Sequence, residues 1–384
     1  MAVAAMAPAT GDLSMRRAAL RSVLLQGIGS DDSEEATPLE PPQLASPFRP
    51  DREPVLWERV RLGSGDLTVL LAGPAAAGPV AGQRPAVLLL HSTGKCKEFL
   101  AEHLERYARR GFLAAAFDAR HHGERALPQA GIVAAGGNAE VAPLSLASLG
   151  PDLVESIMLT EPKRLQVYHA ALIHAWRTGA ERPFLFDTVA DGTRVLGYLA
   201  ARGDVDAARI GLAGVSLGGM EAWLLAAADE RVAACAPAIG VQSFGFALEK
   251  GLWGARVDSI RPVFEVAAKD LKQPEVDAMV VEAVWKRLVP GLAVADSGHA
   301  APFDSLRTLP AIAPRPLLVV SGAEDPRCPL EGVRLAVAAA AEAYSALQAP
   351  TGALRHFVEE GVGHEMTVAM WKHIDAFLAA SLGL

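Results

Sequence analysis

The sequence predicts an α/β domain with a doubly wound, mostly parallel sheet and two insertions. Short apolar runs recur from Val55 onward, segments of helical period separate them, and 51% of the 384 residues are hydrophobic. That alternation is what a parallel sheet covered by helices on both faces requires, and the length is enough for a sizeable core.

Taken in order, Leu56 to Leu62 and Leu67 to Leu71 flank Gly63-Ser64-Gly65-Asp66 and read as an antiparallel hairpin. A buried strand is expected at Ala86 to His91, then a helix from Lys97 to Arg110 with Leu100, Leu104 and Tyr107 on one face, then a strand from Phe112 to Asp118. A first insertion, about 119–186, contains a helix that starts near Thr160 and Pro162, carries Leu165, Tyr168, Leu172 and Trp176 on one side, and ends at Gly179. Asp187 to Arg202 reads as a helix, Arg209 to Val215 as a strand, Leu217 to Ala228 as a helix with a Met220, Leu224, Ala227 stripe, and Val232 to Ile239 as a strand. A second insertion, about 240–313, holds Phe244, Phe246, Trp253 and Trp285. The remaining elements are a strand at Pro316 to Ser321, a helix near Leu330 to Tyr344, a strand at Arg355 to Glu359 and a final helix near Glu365 to Leu382.

Residues 1–54 differ from the 55–384 domain. An Ala-rich start, a short basic helical stretch (Met15 to Leu25), an acidic cluster (Asp31 to Glu35) and a Pro-rich linker (Pro38 to Pro54) read as a mobile extension. Organelle targeting would suit the Ala-rich start and the arginines, but Asp12 and the acidic cluster oppose it. The formal charge of −8 gives no summed positive field to attract nucleic acid or an anionic membrane. Three cysteines at long spacings, Cys96, Cys235 and Cys328, support neither a disulfide framework nor a metal site, so a reducing, cytoplasmic setting is expected. No apolar run approaches the roughly 20 residues that cross a bilayer.

The chemistry concentrates at Gly214-Val215-Ser216-Leu217-Gly218, where an apolar strand gives way to a helix. This is the G-x-S-x-G nucleophile elbow: a tight strand-to-helix turn strains the serine backbone, and its neighbours two residues either side must lack bulk. A serine hydroxyl needs a base, and the base needs a group that fixes its tautomer. Asp325 ends the run beginning at Leu317, and His364 follows the last expected strand. The order Ser216, Asp325, His364 suits this architecture. Glu324 competes for the acid role; His299, three residues after Asp296, competes more weakly as base. His91, His121 and His122 lack a ligand spacing, so no metal is expected. Oxyanion donors are expected from the backbone N–H of Leu217 and from the loop His91-Ser92-Thr93-Gly94, with Thr93 first and Ser92 next. The charges of Asp118 to Arg125 are expected to order the first insertion rather than touch substrate.

These residues resemble the α/β-hydrolase superfamily, in particular dienelactone hydrolases, acetyl xylan esterases and prolyl-oligopeptidase-type serine hydrolases. The features that match are the elbow, the acid turn from Pro316 to Pro329, the Gly-Val-Gly-His ending at His364, and the stretch from Ala175 to Thr188. The resemblance implies hydrolysis of a small-molecule carboxylic ester through an acyl-enzyme, without a cofactor. It does not fix the substrate or oligomeric state, and it leaves open a non-catalytic receptor or an acyltransferase or thioesterase on the same fold. His-Ser-Thr-Gly replaces the HGGG-type loop of many lipases, and no propeller domain precedes the catalytic part.

Overall fold

The computed structural model describes residues 36–39, 55–63, 67–75, 83–126, 161–179, 184–289, 291 and 301–384, with Met15, Ala18, Arg21 and Ser22. Among these residues nine strands form one sheet: β1 (Ala36–Leu39), β2 (Val55–Leu62), β3 (Leu67–Pro74), β4 (Arg84–Leu90), β5 (Leu113–Phe117), β6 (Val205–Val215), β7 (Val232–Ala238), β8 (Leu317–Gly322) and β9 (Leu354–Glu359). Their spatial order is β1-β2-β3-β5-β4-β6-β7-β8-β9. The pairs from β1 to β5 are antiparallel, and every pair from β5 to β9 is parallel.

The parallel strands read as unbroken apolar runs because both faces are covered. In β4, Ala86, Leu88 and Leu90 enter one core while Val87 and Leu89 enter the other, and β5 alternates in the same way. The second core is closed by α1 (Ala101–Arg109) through Leu104 and Tyr107, and by α11 (Val368–Leu382) through Met370, Ile374, Phe377 and Leu378. The first lies under α3 (Phe184–Ala201), α4 (Leu217–Ala228) and α10 (Leu330–Ala346). An apolar stripe was the expectation for α4, yet every residue from Leu217 to Ala228 is buried. The reason is a further layer: α3 and the Leu309–Ile312 turn cover its outer side.

The insertions supply α2 (Glu161–Thr178) from the first, and α5 (Phe244–Lys250), α6 (Gly254–Ser259), α7 (Arg261–Asp270), α8 (Ala278–Leu288) and α9 (Ser305–Thr308) from the second. Helices α7 and α8 pack on α2, and the Trp176 Nε1–H donates to Asp270 at 3.0 Å. Buried Asp304 accepts from the N–H groups of Gly245 at 2.9 Å, Phe244 at 3.2 Å and Ser305 at 2.7 Å, tying the starts of α5 and α9 together. Burial outweighs these bonds and pushes its carboxyl up to about 6.

Within the segment expected as a mobile extension, Ala36–Leu39 pairs with Arg59–Leu62 as an antiparallel edge strand; most of residues 1–54, including the acidic cluster, lies outside the described residues. The helix expected from Lys97 opens instead as a 3₁₀ turn, Lys97–Leu100. There Asp118 Oδ1 takes the Lys97 N–H at 2.8 Å and sets the entry angle. The strand expected from Arg209 begins at Val205, and the final helix begins at Val368, capped by the Thr367 hydroxyl at 3.1 Å from Met370 N.

Candidate active site

In strand order β5-β4-β6, successive connections leave β4 in opposite directions, so a crevice opens above the carboxyl ends of β4 and β6. Ser216 stands there, between β6 and α4, with φ 55° and ψ −109°. A non-glycine residue holds such angles only where its surroundings over-determine them. Here the Ser216 N–H donates to Ala238 O at 2.9 Å, the Gly218 N–H to His91 O at 3.1 Å, and the Met220 N–H to Ser216 O at 2.9 Å. The elbow is thereby laced to β7 on one side and to the end of β4 on the other.

The glycines meet the steric demand read from the sequence. A Cβ on Gly214 would stand 2.0 Å from Gly218 O, and one on Gly218 would stand 2.3 Å from Leu90 O and 2.7 Å from His91 O. All these atoms are backbone, so nothing can swing aside. Gly218→Ala is expected to destabilise the fold by about 3 kcal/mol. Urea unfolding checks this; an unchanged midpoint at equal slope would contradict the close approach.

The structure brings Asp325 and His364 to Ser216. The Ser216 Oγ lies 2.8 Å from His364 Nε2, and His364 Nδ1 lies 2.8 Å from Asp325 Oδ2. Asp325 is 3% exposed, and its other oxygen accepts from the N–H groups of Arg327 at 2.8 Å and Cys328 at 3.0 Å. Burial alone would push its carboxyl up, but the hydrogen bond and charge attraction of His364, with the two N–H donors, hold it below the usual carboxylate range. An ionised Asp325 accepts only, so Nδ1 carries the imidazole proton and Nε2 is left to accept from Ser216. Close approach places the base: a Cβ on Gly322 would stand 2.3 Å from Val362 O and 2.4 Å from Gly363 O. The loop before His364 therefore crosses directly over the end of β8. Glu324, the rival acid, is exposed, and its N–H serves that crossing by donating to Val362 O at 2.9 Å. His299 and Asp296 lie outside the described residues.

Thr93 and Leu217, the residue that follows Ser216, border one cavity. The loop carrying Thr93 is a turn closed by Lys95 N–H to Ser92 O at 3.1 Å, with Gly94 at φ 74°. It is braced twice: His91 Nδ1 lies 2.9 Å from Ser92 O, and the Arg164 Nε–H donates to Gly94 O at 2.7 Å. Since His91 Nε2 accepts the Ala119 N–H at 3.0 Å, its proton sits on Nδ1 and donates to Ser92 O. Burial drives this ring toward the neutral form that such bonding needs.

Lys97, Asp118, Arg120, Arg125 and Asp191 form a network that the sequence showed only in part. The buried Lys97 ammonium reaches Asp118 at 2.7 Å, Glu98 at 2.9 Å and Glu124 at 3.2 Å. Burial would lower its proton affinity, but the three carboxylates raise it; Asp118, despite burial, is held low chiefly by Lys97. Asp191 takes Arg120 Nε at 2.8 Å and Arg125 at 2.8 Å. These charges are spent on one another at the base of the first insertion. Cys96, Glu98 and Asp118 also stand close enough together to share an ion, but the Lys97 ammonium already bonds both carboxylates. His122 donates from Nδ1 to Arg120 O at 2.9 Å and is pushed down by burial to about 3.

The cavity encloses about 60 Å³ and is lined mainly by apolar side chains, among them Leu172, Leu185, Met220, Phe244, Trp285 and Leu288. Of the four aromatic residues singled out in the second insertion, Phe244 and Trp285 border it, edge to face at 5.1 Å. Phe246 is buried against Gly332 of α10, and Trp253 packs on the main core.

No family model and no curated protein sequence matches the chain. Solved structures do. An acetyl xylan esterase from Thermoanaerobacterium sp. superposes with a TM-score of 0.57 at 15% identity, covering 98% of this chain and 95% of its own. The chain has the α/β-hydrolase fold. Other structures with this α/β-hydrolase architecture superpose comparably: an acetyl xylan esterase from Paenibacillus sp. (TM-score 0.56, 17% identity, 98% and 96% covered) and a glucuronoyl esterase from Solibacter usitatus (0.54, 16%, 98% and 95%). Among the described residues no helix is long and apolar enough to cross a membrane.

Proposed function

We propose that this α/β-hydrolase is a serine hydrolase that cleaves a carboxylic ester through an acyl-enzyme. The observation that carries the proposal is the continuous hydrogen-bonded chain from Ser216 through His364 to Asp325, 2.8 Å at each link, above the carboxyl end of the sheet. His364 Nε2 takes the Ser216 proton as Oγ attacks the ester carbonyl, and Asp325 stabilises the imidazolium that forms. The developing oxyanion is met by the N–H of Leu217, at the start of α4, and by the N–H of Thr93. His364 then protonates the departing alcohol. A water, deprotonated by the same nitrogen, attacks the acyl group and frees Ser216. The chain's structural neighbours among acetyl xylan and glucuronoyl esterases support the direction of this reading.

The size of the cavity bears on the acyl group. A small cavity of about 60 Å³ suits a short chain. Across p-nitrophenyl esters from acetate to palmitate, kcat/KM is expected to peak at acetate to butyrate and to be at least about tenfold lower for palmitate. No turnover anywhere in the series would count against an ester hydrolase, and a peak at palmitate would count against this acyl pocket.

A further inference from the structure

Among the described residues that line the cavity at Leu217, one is charged. Arg256, on α6, lines it together with Thr93, Leu217 and Ser259. Its guanidinium faces a methionine sulfur and an aromatic ring, with Nη1 at 3.9 Å from Met220 Sδ and the group 5.7 Å from the centre of Phe244. Its Nε–H is shielded from solvent and has no hydrogen-bond partner. Among the described residues no carboxylate forms an ion pair with it; Asp258, two residues away, pairs with Arg261, and Asp325 is already engaged by His364 and two backbone N–H groups. Burial lowers the proton affinity of Arg256, and the nearby Arg327 does the same.

A desolvated cation facing apolar walls is costly unless an anion meets it. Among the described residues the buried cations Lys97, Arg125 and Arg164 have oxygen acceptors within the fold, whereas the partly exposed Arg256 meets only a sulfur and a ring. A guanidinium presents planar, paired donors that match a carboxylate, and one cation among apolar side chains balances one negative charge. The alcohol half of an ester must leave toward solvent, whereas the acyl half stays on Ser216, so a small lined cavity suits the acyl half.

We propose that Arg256 is a specificity-determining residue that binds a free carboxylate on the acyl group, so that the preferred substrates are half-esters of short dicarboxylic acids. This rests on the serine-hydrolase reading above and names its substrate class. The chain length follows from the cavity, which fits a succinyl-sized group.

The test compares monoethyl succinate with ethyl 4-methylpentanoate, in which an isopropyl group replaces the carboxylate, by pH-stat titration of the wild type, Arg256→Gln and Arg256→Lys. A small uncharged fluorophosphonate, read by mass spectrometry at Ser216, runs in parallel with and without free succinate. The wild type is expected to favour the half-ester by tenfold or more in kcat/KM. In Arg256→Gln that ratio falls by about 10- to 100-fold, mostly through KM, as loss of a charged hydrogen bond predicts. Arg256→Lys keeps part of the preference, and succinate slows labelling of the wild type but not of Arg256→Gln.

Labelling of Ser216 with no preference for the half-ester and no protection by succinate would overturn the role of Arg256 alone. Equal loss on both esters in Arg256→Gln would overturn it too, since that marks a group acting on the reacting centre. Absence of labelling in the wild type would instead bring down the hydrolase reading. Should Arg256→Gln fail to fold, the wild-type preference, the succinate protection and Arg256→Lys still decide.

Discussion

Ser216→Ala is expected to lower kcat on p-nitrophenyl acetate by about 10⁴- to 10⁶-fold, with KM changed by less than about tenfold. The substitution removes one oxygen. The elbow keeps its hydrogen bonds to Ala238, His91 and Met220, all of them made by backbone atoms. Stability is therefore expected to stay within about 1 kcal/mol of wild type, because alanine inherits the same left-handed φ. Ser216→Gly separates strain from chemistry: it should lose activity as fully while gaining roughly 1 kcal/mol of stability, since glycine accepts this conformation freely. A turnover number in Ser216→Ala within tenfold of wild type would remove Ser216 from the reaction.

Asp325→Asn is expected to lower kcat by about 10⁴-fold. The volume hardly changes, and the amide oxygen can still accept from Arg327 and Cys328, so the loss lies in the proton inventory. If the new NH₂ donates to His364 Nδ1, the ring proton moves to Nε2, which then faces the Ser216 hydroxyl as a donor and cannot take its proton. The charge that favours the imidazolium is lost as well. Because Asp325 is held below the usual carboxylate range, its contribution to folding is complete above about pH 4 and is lost only as pH falls through its depressed value. Denaturation midpoints of wild type and Asp325→Asn should therefore converge in acid. A loss of less than tenfold in kcat would show that His364 needs no partner.

Much of the fold is legible because it is written in local patterns. β4 and β5 are unbroken apolar runs whose alternate residues enter two different cores, and such runs have few alternatives once helical segments flank them. The elbow is legible for a steric reason: Gly214 and Gly218 stand where any Cβ would strike main chain. Ser216, Asp325 and His364 follow β6, β8 and β9, strands of one parallel run, so all three emerge at the same edge of the sheet.

What escaped the sequence depends on distant partners. Ala36–Leu39 carries little strand signal, and it extends because β2 offers a free edge. Lys97 and Asp191 look like surface charges along the chain, yet both are buried in ion pairs with Asp118, Arg120 and Arg125, residues distant from them in sequence. The final helix starts at Val368, later than its periodicity suggests, because the chain from Gly361 to Glu365 is committed to carrying His364 across β8. Arg256 sits on a six-residue helix, too short to show a face, and nothing in its neighbourhood along the chain signals that it lines a cavity with Leu217.

The proposed chemistry requires residues 216, 364 and 325 to act as one unit that makes a serine oxygen nucleophilic. The most direct measurement is peptide mapping by mass spectrometry after brief exposure to a fluorophosphonate, for wild type and His364→Ala side by side. A single adduct is expected on the peptide containing Ser216 in the wild type, formed at least about a thousandfold more slowly in His364→Ala. An unmodified Ser216, or labelling equally fast without His364, would contradict it.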